Sequence, residues 1–313
     1  MAGSVNGSRP FLGIVLIVGA ASCFALMDTT LRYLGAFVGI AVLLWLRYAM
    51  HTLVMTGWIA TARDKTFRTA NLRFQLLRGA LLLAASTMAF NALRHMPVAE
   101  FTAIVMLTPL LVTLLARVLL HERVSRLRWV LVAGGFAGAL IVIRPGSGLF
   151  GWSVLLPLGA AASNAAFQIL TSKLAPHENA YTTNFYTGLT GVTLATPLLL
   201  ASADDLLPTL AAAPPLHLML MLAIGALGTA GHLLLIMALG KAPTATLMPF
   251  LYVQIGVAAL AGWLALGAVP DAWGWLGMAV IAVCGAASAW LNVRDAARAQ
   301  RPVTAVEADT IAD

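Results

Sequence analysis

Charge is what this sequence has least of. Only 10% of its 313 residues are Asp, Glu, Lys or Arg, and 60% are apolar, whereas about 25% are charged in an ordinary soluble domain. Cysteine is scarce too. Cys23 and Cys284 both fall inside apolar runs, which offers neither a disulfide framework nor metal-ligand spacing. No glycine-rich phosphate loop is present, so the chain alone has no means of using ATP. His121-Glu122 lacks the second histidine of a zinc-protease helix, and no nucleophile–base pair or metal cluster is recognisable. These absences argue against an enzyme, a metal and any other cofactor. Soluble domains are missing as well, because the longest connection between apolar runs is Thr61 to Gln75. The net charge of +7 would suit nucleic acid, but the basic residues sit between apolar runs and read as topology signals instead.

What the chain does have is apolar length. About 20 apolar residues cross the roughly 30 Å hydrocarbon core, and shorter runs cross if their flanks snorkel. Ten such runs are predicted: Phe11–Leu31, Ile40–Ala60, Leu76–Leu93, Val98–Leu119, Trp129–Ile143, Trp152–Ser172, Tyr181–Ala201, Leu216–Leu239, Thr244–Leu266 and Trp273–Asn292. Barrel strands would alternate with period two, and these runs do not, so the spans are helices in a lipid bilayer. Ala20-Ala21-Ser22-Cys23 has the look of a lipoprotein cleavage site. The run continues past it to Leu31, which makes it a first span rather than a removed signal. The tail 293–313 reads as disordered.

The pattern occurs twice. Pro97, Leu120 and Trp129 match Pro243, Leu266 and Trp275, each 146 positions on, and Gly19 in GAASCFALMDTTLRYLG matches Gly159 in GAAASNAAFQILTSKLA, 140 positions on. Five spans per copy is an odd number, so the second copy is inverted in the membrane. Residues 11–146 and 151–292 then form two five-helix repeats, an arrangement suited to alternating access about a midplane site. Orientation follows from Lys and Arg. One set of connections and ends holds Arg9, Arg63, Lys65, Arg68, Arg73, Arg123, Arg126, Arg128, Lys173, Lys241, Arg294, Arg298 and Arg301; the other holds only Arg32, Arg94 and Arg144, with Asp204 and Asp205 in its longest loop. Both termini should be cytoplasmic, with Arg78 and Arg117 snorkelling to that surface.

The duplicated unit, the string PVAEFTAI…TPLLVTLL…HERVSRLRW…GGFAGALIVIRPG and Arg47 in span two resemble the EamA branch of the drug/metabolite transporter superfamily over Phe11 to Asn292. The resemblance implies a secondary transporter of small organic metabolites in the bacterial inner membrane. Amino-acid-like compounds are frequent cargo there, and S-adenosylmethionine and riboflavin carriers are close subgroups. Gly267-Ala268 stands where the first copy has His121-Glu122, which weakens a symmetric role for Glu122. The rival reading from another class is a channel or a structural membrane protein.

Polar residues inside the spans are the candidate substrate or coupling groups. Asp28 precedes Arg32 by four residues, which allows a self-neutralising pair on one helix face or a place in the site, and Gln168 matches it in the second copy. Arg47 lies roughly 10 Å into span two at 1.5 Å per residue, and Glu100 enters span four from the same side. The two either lock spans two and four together or bind a charged substrate, with Glu100 taking up a proton. Thr246 replaces Glu100 in the second copy, which singles out Glu100 as the leading transport residue. Asn164 and Gln254 are further polar candidates, whereas Asn91, Asn184 and His232 read as interhelical glue. Tyr186, Phe250, Tyr252 and Trp263 form a possible aromatic wall. Pro109 and Pro249 interrupt spans four and nine. Glu122–Arg126 reads as a latch, and Gly134 and Gly138 as a close-packing face.

Overall fold

The computed structural model describes residues 10–61, 66–119, 126–144, 151–174, 178–202, 206–239, 241 and 248–299. The Glu122 turn, the loop around Lys65, Pro145-Gly146, Asp204-Asp205, Thr246 and the chain end after Ala299 lie outside these residues, as does the side chain of Arg117. All regular structure among the described residues is helical: α1 Pro10–Leu34, α2 Ile40–Thr61, α3 Leu72–His95, α4 Val98–Val105, α5 Thr108–Leu119, α6 Arg126–Ile143, α7 Leu155–Leu174, α8 Ala180–Ala201, α9 Leu206–Ala212, α10 Pro215–Leu239, α11 Val253–Leu266 and α12 Ala272–Ala299. Short 3-10 turns, Gly151–Val154 and Met248–Tyr252, lead into α7 and α11. Five helices (α1, α2, α3, α7 with its lead-in, and α10) are long and apolar enough to cross a membrane, and Val98–Val112, Trp129–Ile143, Val253–Leu266 and Ala272–Ser288 are shorter apolar helices. With Tyr181–Ala201 in α8, each of the ten passes read from the sequence is helical over its described residues. The last helix runs seven residues past the expected Asn292 boundary to Ala299, because Asp-Ala-Ala-Arg-Ala is strongly helix-forming.

Span four is broken, and the chemistry of the break is local. Pro109 has no N–H to give the carbonyl of Val105 four residues back. The Thr108 hydroxyl donates to that carbonyl instead, at 2.7 Å. The chain turns at Met106-Leu107, with Leu107 N–H bonded to Ile104 O at 3.0 Å, and restarts as α5. In the second copy the 3-10 turn ends at Tyr252 and α11 starts at Val253. Those are the positions 146 beyond Met106 and Leu107. Both copies therefore break at the same place, with Pro109 just after the break in the first and Pro249 inside the 3-10 turn of the second.

Helix ends repeat with the same regularity. Leu34, Ile40 and Thr61 end or begin helices, as do Leu174, Ala180 and Ala201, each 140 positions on. The packing carries the duplication into three dimensions. Counted as spans, two packs on seven (α2 on α8), four on nine (α4 on α11) and five on ten (α6 on α12), while one packs on eight (α1 on α10) and three on six (α3 on α7). Exchanging the two copies maps this set of pairs onto itself, so the halves interlock face to face.

Glycines set the closest approaches. A Cβ on Gly277 of α12 would stand 2.7 Å from the Gly138 carbonyl, and one on Gly134 would stand 2.7 Å from Cys284 Sγ. The small face expected on span five is thus what seats α6 against α12. An ion pair, Arg144 Nη1 to Asp271 Oδ2 at 2.7 Å, ties the same two helices together at one end. Asp271 also caps α12, since its Oδ1 accepts the Gly274 N–H at 2.8 Å. That backbone donor, then Arg144, holds the Asp271 carboxyl below its ordinary value. A depressed carboxylate adds stability above its unfolded pKa of about 3.9 and loses it as pH falls through the folded value. Thermal melts of detergent-solubilised protein should therefore show wild type gaining more than Asp271→Asn between pH 3 and pH 6. Parallel pH profiles would remove the cap-and-pair role.

Candidate functional site

Between the halves lies a cavity of about 140 Å³. Spans one, two, three and four contribute Phe24, Met27, Asp28, Arg47, Ser86, Phe90 and Phe101; spans six, eight and nine contribute Asn164, Phe167, Gln168, His232 and Gln254. Five of the eight residues expected from sequence are brought together here: Asp28, Arg47, Asn164, Gln168 and Gln254. The other three are not. Tyr186 donates its hydroxyl to Phe67 O at 3.0 Å, at the end of the bundle near Asn71. Tyr252 lies against α12, where a Cβ on Gly285 would collide with its ring, and its hydroxyl is buried without a partner. Glu100, 7% exposed, has Oε1 3.6 Å from where a Cβ on Gly274 would stand, which puts it beside the Arg144–Asp271 pair.

Arg47 is built into the site from the pleasingly plain geometry of α2. It follows a buried apolar turn, Ala41 to Leu44, is itself 4% exposed, and projects toward α3 and α10. Its Nη1 donates to Ser86 Oγ at 2.6 Å, and Nη2 lies 3.4 Å from His232 Nε2. A guanidinium can only donate, so Nε2 accepts and the His232 proton sits on Nδ1. The cation also stacks over Tyr48 at 5.0 Å and Phe90 at 5.7 Å. Gly228 makes the approach of α10 possible, because a Cβ there would stand 3.1 Å from Arg47 Nε. Asp28, 6% exposed, lines the same cavity as Arg47.

Two expected pairings are corrected. Arg47 does not pair with Glu100, because α4 turns Phe101 and Val105 to the cavity and Glu100, about 100° round the helix from Phe101, lies near Gly274 instead. Nor is Asp28 neutralised by Arg32, whose Nη1 donates to the Leu93 carbonyl. The aromatic wall is corrected as well. Trp263 is 55% exposed on the lipid-facing side of α11, while the rings that line the cavity are Phe24, Phe90, Phe101 and Phe167. His232, read as glue, belongs to the site, stacking edge-on to Phe24 with centroids 5.0 Å apart. Its signal was a lone imidazole in an otherwise apolar span, which sequence cannot tell from a packing group. Arg78 does not snorkel. It is 1% exposed, and threonines of α7 and α8 accept from its Nη groups inside the bundle.

The two ends of the bundle differ. At one end Glu178 Oε1 accepts from Thr69 Oγ1 at 2.6 Å, Ala70 N at 3.0 Å and Asn71 N at 3.1 Å. Thr182 donates to Thr66 O, and the Phe67 and Phe185 rings meet at 5.0 Å. That end is closed by contacts between the halves. At the other end a recess of about 600 Å³ opens among Arg32, Tyr33, Phe37, Arg94, Pro97 and Leu266.

Comparisons with known proteins agree with this architecture. A riboflavin transporter of Rhizobium johnstonii is 30% identical over 285 residues, covering 89% of this chain and 91% of that one. An S-adenosylmethionine uptake transporter of Rickettsia bellii is 26% identical over 244 residues, covering 78% and 81%. A solved crystal structure superposes with a TM-score of 0.62 at 20% identity, over 93% of this chain and 98% of that one, which is a likeness of fold. The EamA-like transporter family matches residues 11–144 and again 151–289. The chain is a multi-pass membrane protein that transports small molecules rather than an enzyme, and it belongs to the EamA-like transporter family.

Proposed function

We propose that this protein is a secondary active transporter which carries a small organic metabolite, amino-acid-like or nucleoside- or cofactor-like, across the bacterial inner membrane by alternating access, with both termini cytoplasmic. The observation that carries the reading is the cavity between the halves. It combines four phenylalanine rings with a cation (Arg47), a carboxylate (Asp28) and the amides of Asn164, Gln168 and Gln254. Rings and amides together suit a planar heterocycle whose edges carry donors and acceptors, and Arg47 with Asp28 suits a charged or zwitterionic substituent. A drug-sized ligand needs roughly 300–1,000 Å³, so a cavity of about 140 Å³ must widen as the halves move. Closure at the Asn71–Glu178 end and the recess at the other fit one side of an alternating cycle, facing the periplasm if the Lys and Arg bias sets the topology.

Proteoliposomes preloaded with unlabelled riboflavin, S-adenosylmethionine or an amino-acid mixture should accumulate the labelled form of one of them by counterflow. The rate should saturate and should change with an imposed pH gradient if protons are coupled. Counterflow is the discriminating readout, because a channel equilibrates label without overshoot. Absence of overshoot for all three classes would refute the reading.

A further inference from the structure

Arg78 is the least expected charge in the molecule. It is 1% exposed in the middle of the bundle, and among the described residues no carboxylate lies within ion-pair distance of it. A buried cation without a counter-charge is costly unless something supplies one part of the time. Its present partners are all neutral: Thr171 Oγ1 at 3.2 Å, the Thr183 carbonyl and the Thr187 hydroxyl, with the guanidinium stacked 5.0 Å from the Phe167 ring. Its Nε has no acceptor, and beside it Gln75 Oε1 and Thr190 Oγ1 are also buried and unpartnered. Every one of its partners lies across the boundary between the halves, on α7 or α8.

The duplication gives this placement a meaning. The 140-residue offset that relates Ile40 to Ala180 and Thr61 to Ala201 also relates Arg47 to Thr187. Arg78 thus inserts its guanidinium where the second copy lacks the arginine of the first. Arg47 lines the cavity, and the second buried cation, Arg78, stacks on Phe167, one of the rings that line it. Arg47 shares its cavity with the Asp28 carboxyl, while the hydrogen-bond partners of Arg78 are only hydroxyls and a carbonyl.

We propose that Arg78 is the anion-binding residue of the opposite-facing state, a second station that takes a carboxylate-class group of the transported molecule when the Asn71–Glu178 end opens. In the present state the Thr171, Thr183 and Thr187 oxygens occupy its donors, and separation of α3 from α7 and α8 frees the guanidinium fork. The proposal rests on the alternating-access reading above.

Acetate serves as the carboxylate probe, titrated against chloride at equal ionic strength on purified protein in detergent micelles. The wild-type Tm should rise saturably by about 3 °C. Arg78→Gln, which retains Arg47, should lose that rise, and Arg78→Lys should keep only part of it, because an ammonium lacks the bidentate fork. If Arg78→Gln does not fold, Thr187→Val keeps the cation and removes one acceptor, and the acetate midpoint should fall several-fold. A Tm response equal in wild type and Arg78→Gln, no response at all, or an unchanged midpoint in Thr187→Val overturns the proposal. A Thr190→Cys reporter, with Cys23 and Cys284 replaced by Ser, separates the two levels. Acetate should raise its maleimide labelling rate about tenfold by shifting the population toward the open state. Labelling that proceeds but ignores acetate leaves alternating access standing and removes the Arg78 station. A Thr190→Cys thiol that never labels removes both.

Discussion

An Arg47→Ala variant should fall to background in counterflow and should also yield less folded protein. Both effects come from one geometry. The guanidinium is 4% exposed and satisfies Ser86 and His232 while acting on Asp28. Removing Arg47 leaves Ser86 and His232 buried without it and takes the opposing charge out of the cavity that Asp28 lines, and each buried polar group left unsatisfied costs about 1–3 kcal/mol. Structural and ligand-binding roles separate in the double variant. Arg47→Met with Asp28→Asn removes both charges together, so it should recover much of the lost thermal stability while transport stays at background. Arg47→Lys keeps the charge but cannot reach both Ser86 and His232 in the fork geometry, and it should transport partially. Size-exclusion yield, Tm and counterflow on the four proteins decide the matter. A well-folded Arg47→Ala protein with wild-type uptake kinetics would exclude both roles.

The fold was legible because a bilayer leaves few choices. Apolar runs of membrane-spanning length must be helices, and the repeated Pro97/Pro243 and Trp129/Trp275 positions announce the duplication before any coordinate is known. The helix ends at Leu34, Ile40 and Thr61 and their counterparts then fall where the repeat puts them. Side-chain direction was not legible in the same way. Depth along a span follows from residue counting, but azimuth depends on which neighbour each helix faces. Arg47 and Glu100 have compatible depths and still point to different places, since Phe101 and Val105, four residues apart on one face of α4, line the cavity, while Glu100 projects about 100° round the helix from Phe101. Arg78 was misread for a related reason. Snorkelling is the rule for a lipid-facing arginine, whereas Gly79 lets α8 come so close that a Cβ there would stand 2.5 Å from Thr190. That proximity turns Arg78 inward to a threonine lining that hydropathy does not register. Asp28 and Gln168, by contrast, were found together because the repeat relates them, and both line the cavity.

Asp28→Asn should reduce the transport rate by about tenfold or more, equivalent to roughly 1.4 kcal/mol of lost stabilisation, whereas Glu100→Gln should stay within a factor of about two. The sequence favours Glu100 for this role and the geometry favours Asp28. Asp28 lines the cavity that Arg47 also lines, and has an uncharged amide at its mate Gln168. Only one of the two symmetric positions therefore carries a charge, and an asymmetric ligand or a proton can use that difference. Asn is close in shape to Asp, so the variant tests charge rather than packing. It leaves the cavity's cation without an opposing charge nearby, and a modest fall in Tm is expected with near-normal yield. Glu100 sits in the first turn of α4, where the helix N-terminus favours a negative charge. Its Oε2 has no hydrogen-bond partner, so Gln breaks no bond at that oxygen. Counterflow rates for wild type, Asp28→Asn and Glu100→Gln across pH 5.5 to 8 supply the comparison. Wild type and Glu100→Gln should share one pH profile, and Asp28→Asn should flatten it. The reverse order, with Glu100→Gln inactive and Asp28→Asn close to wild type, would move the coupling group out of the central cavity to the Arg144–Asp271 end of the bundle.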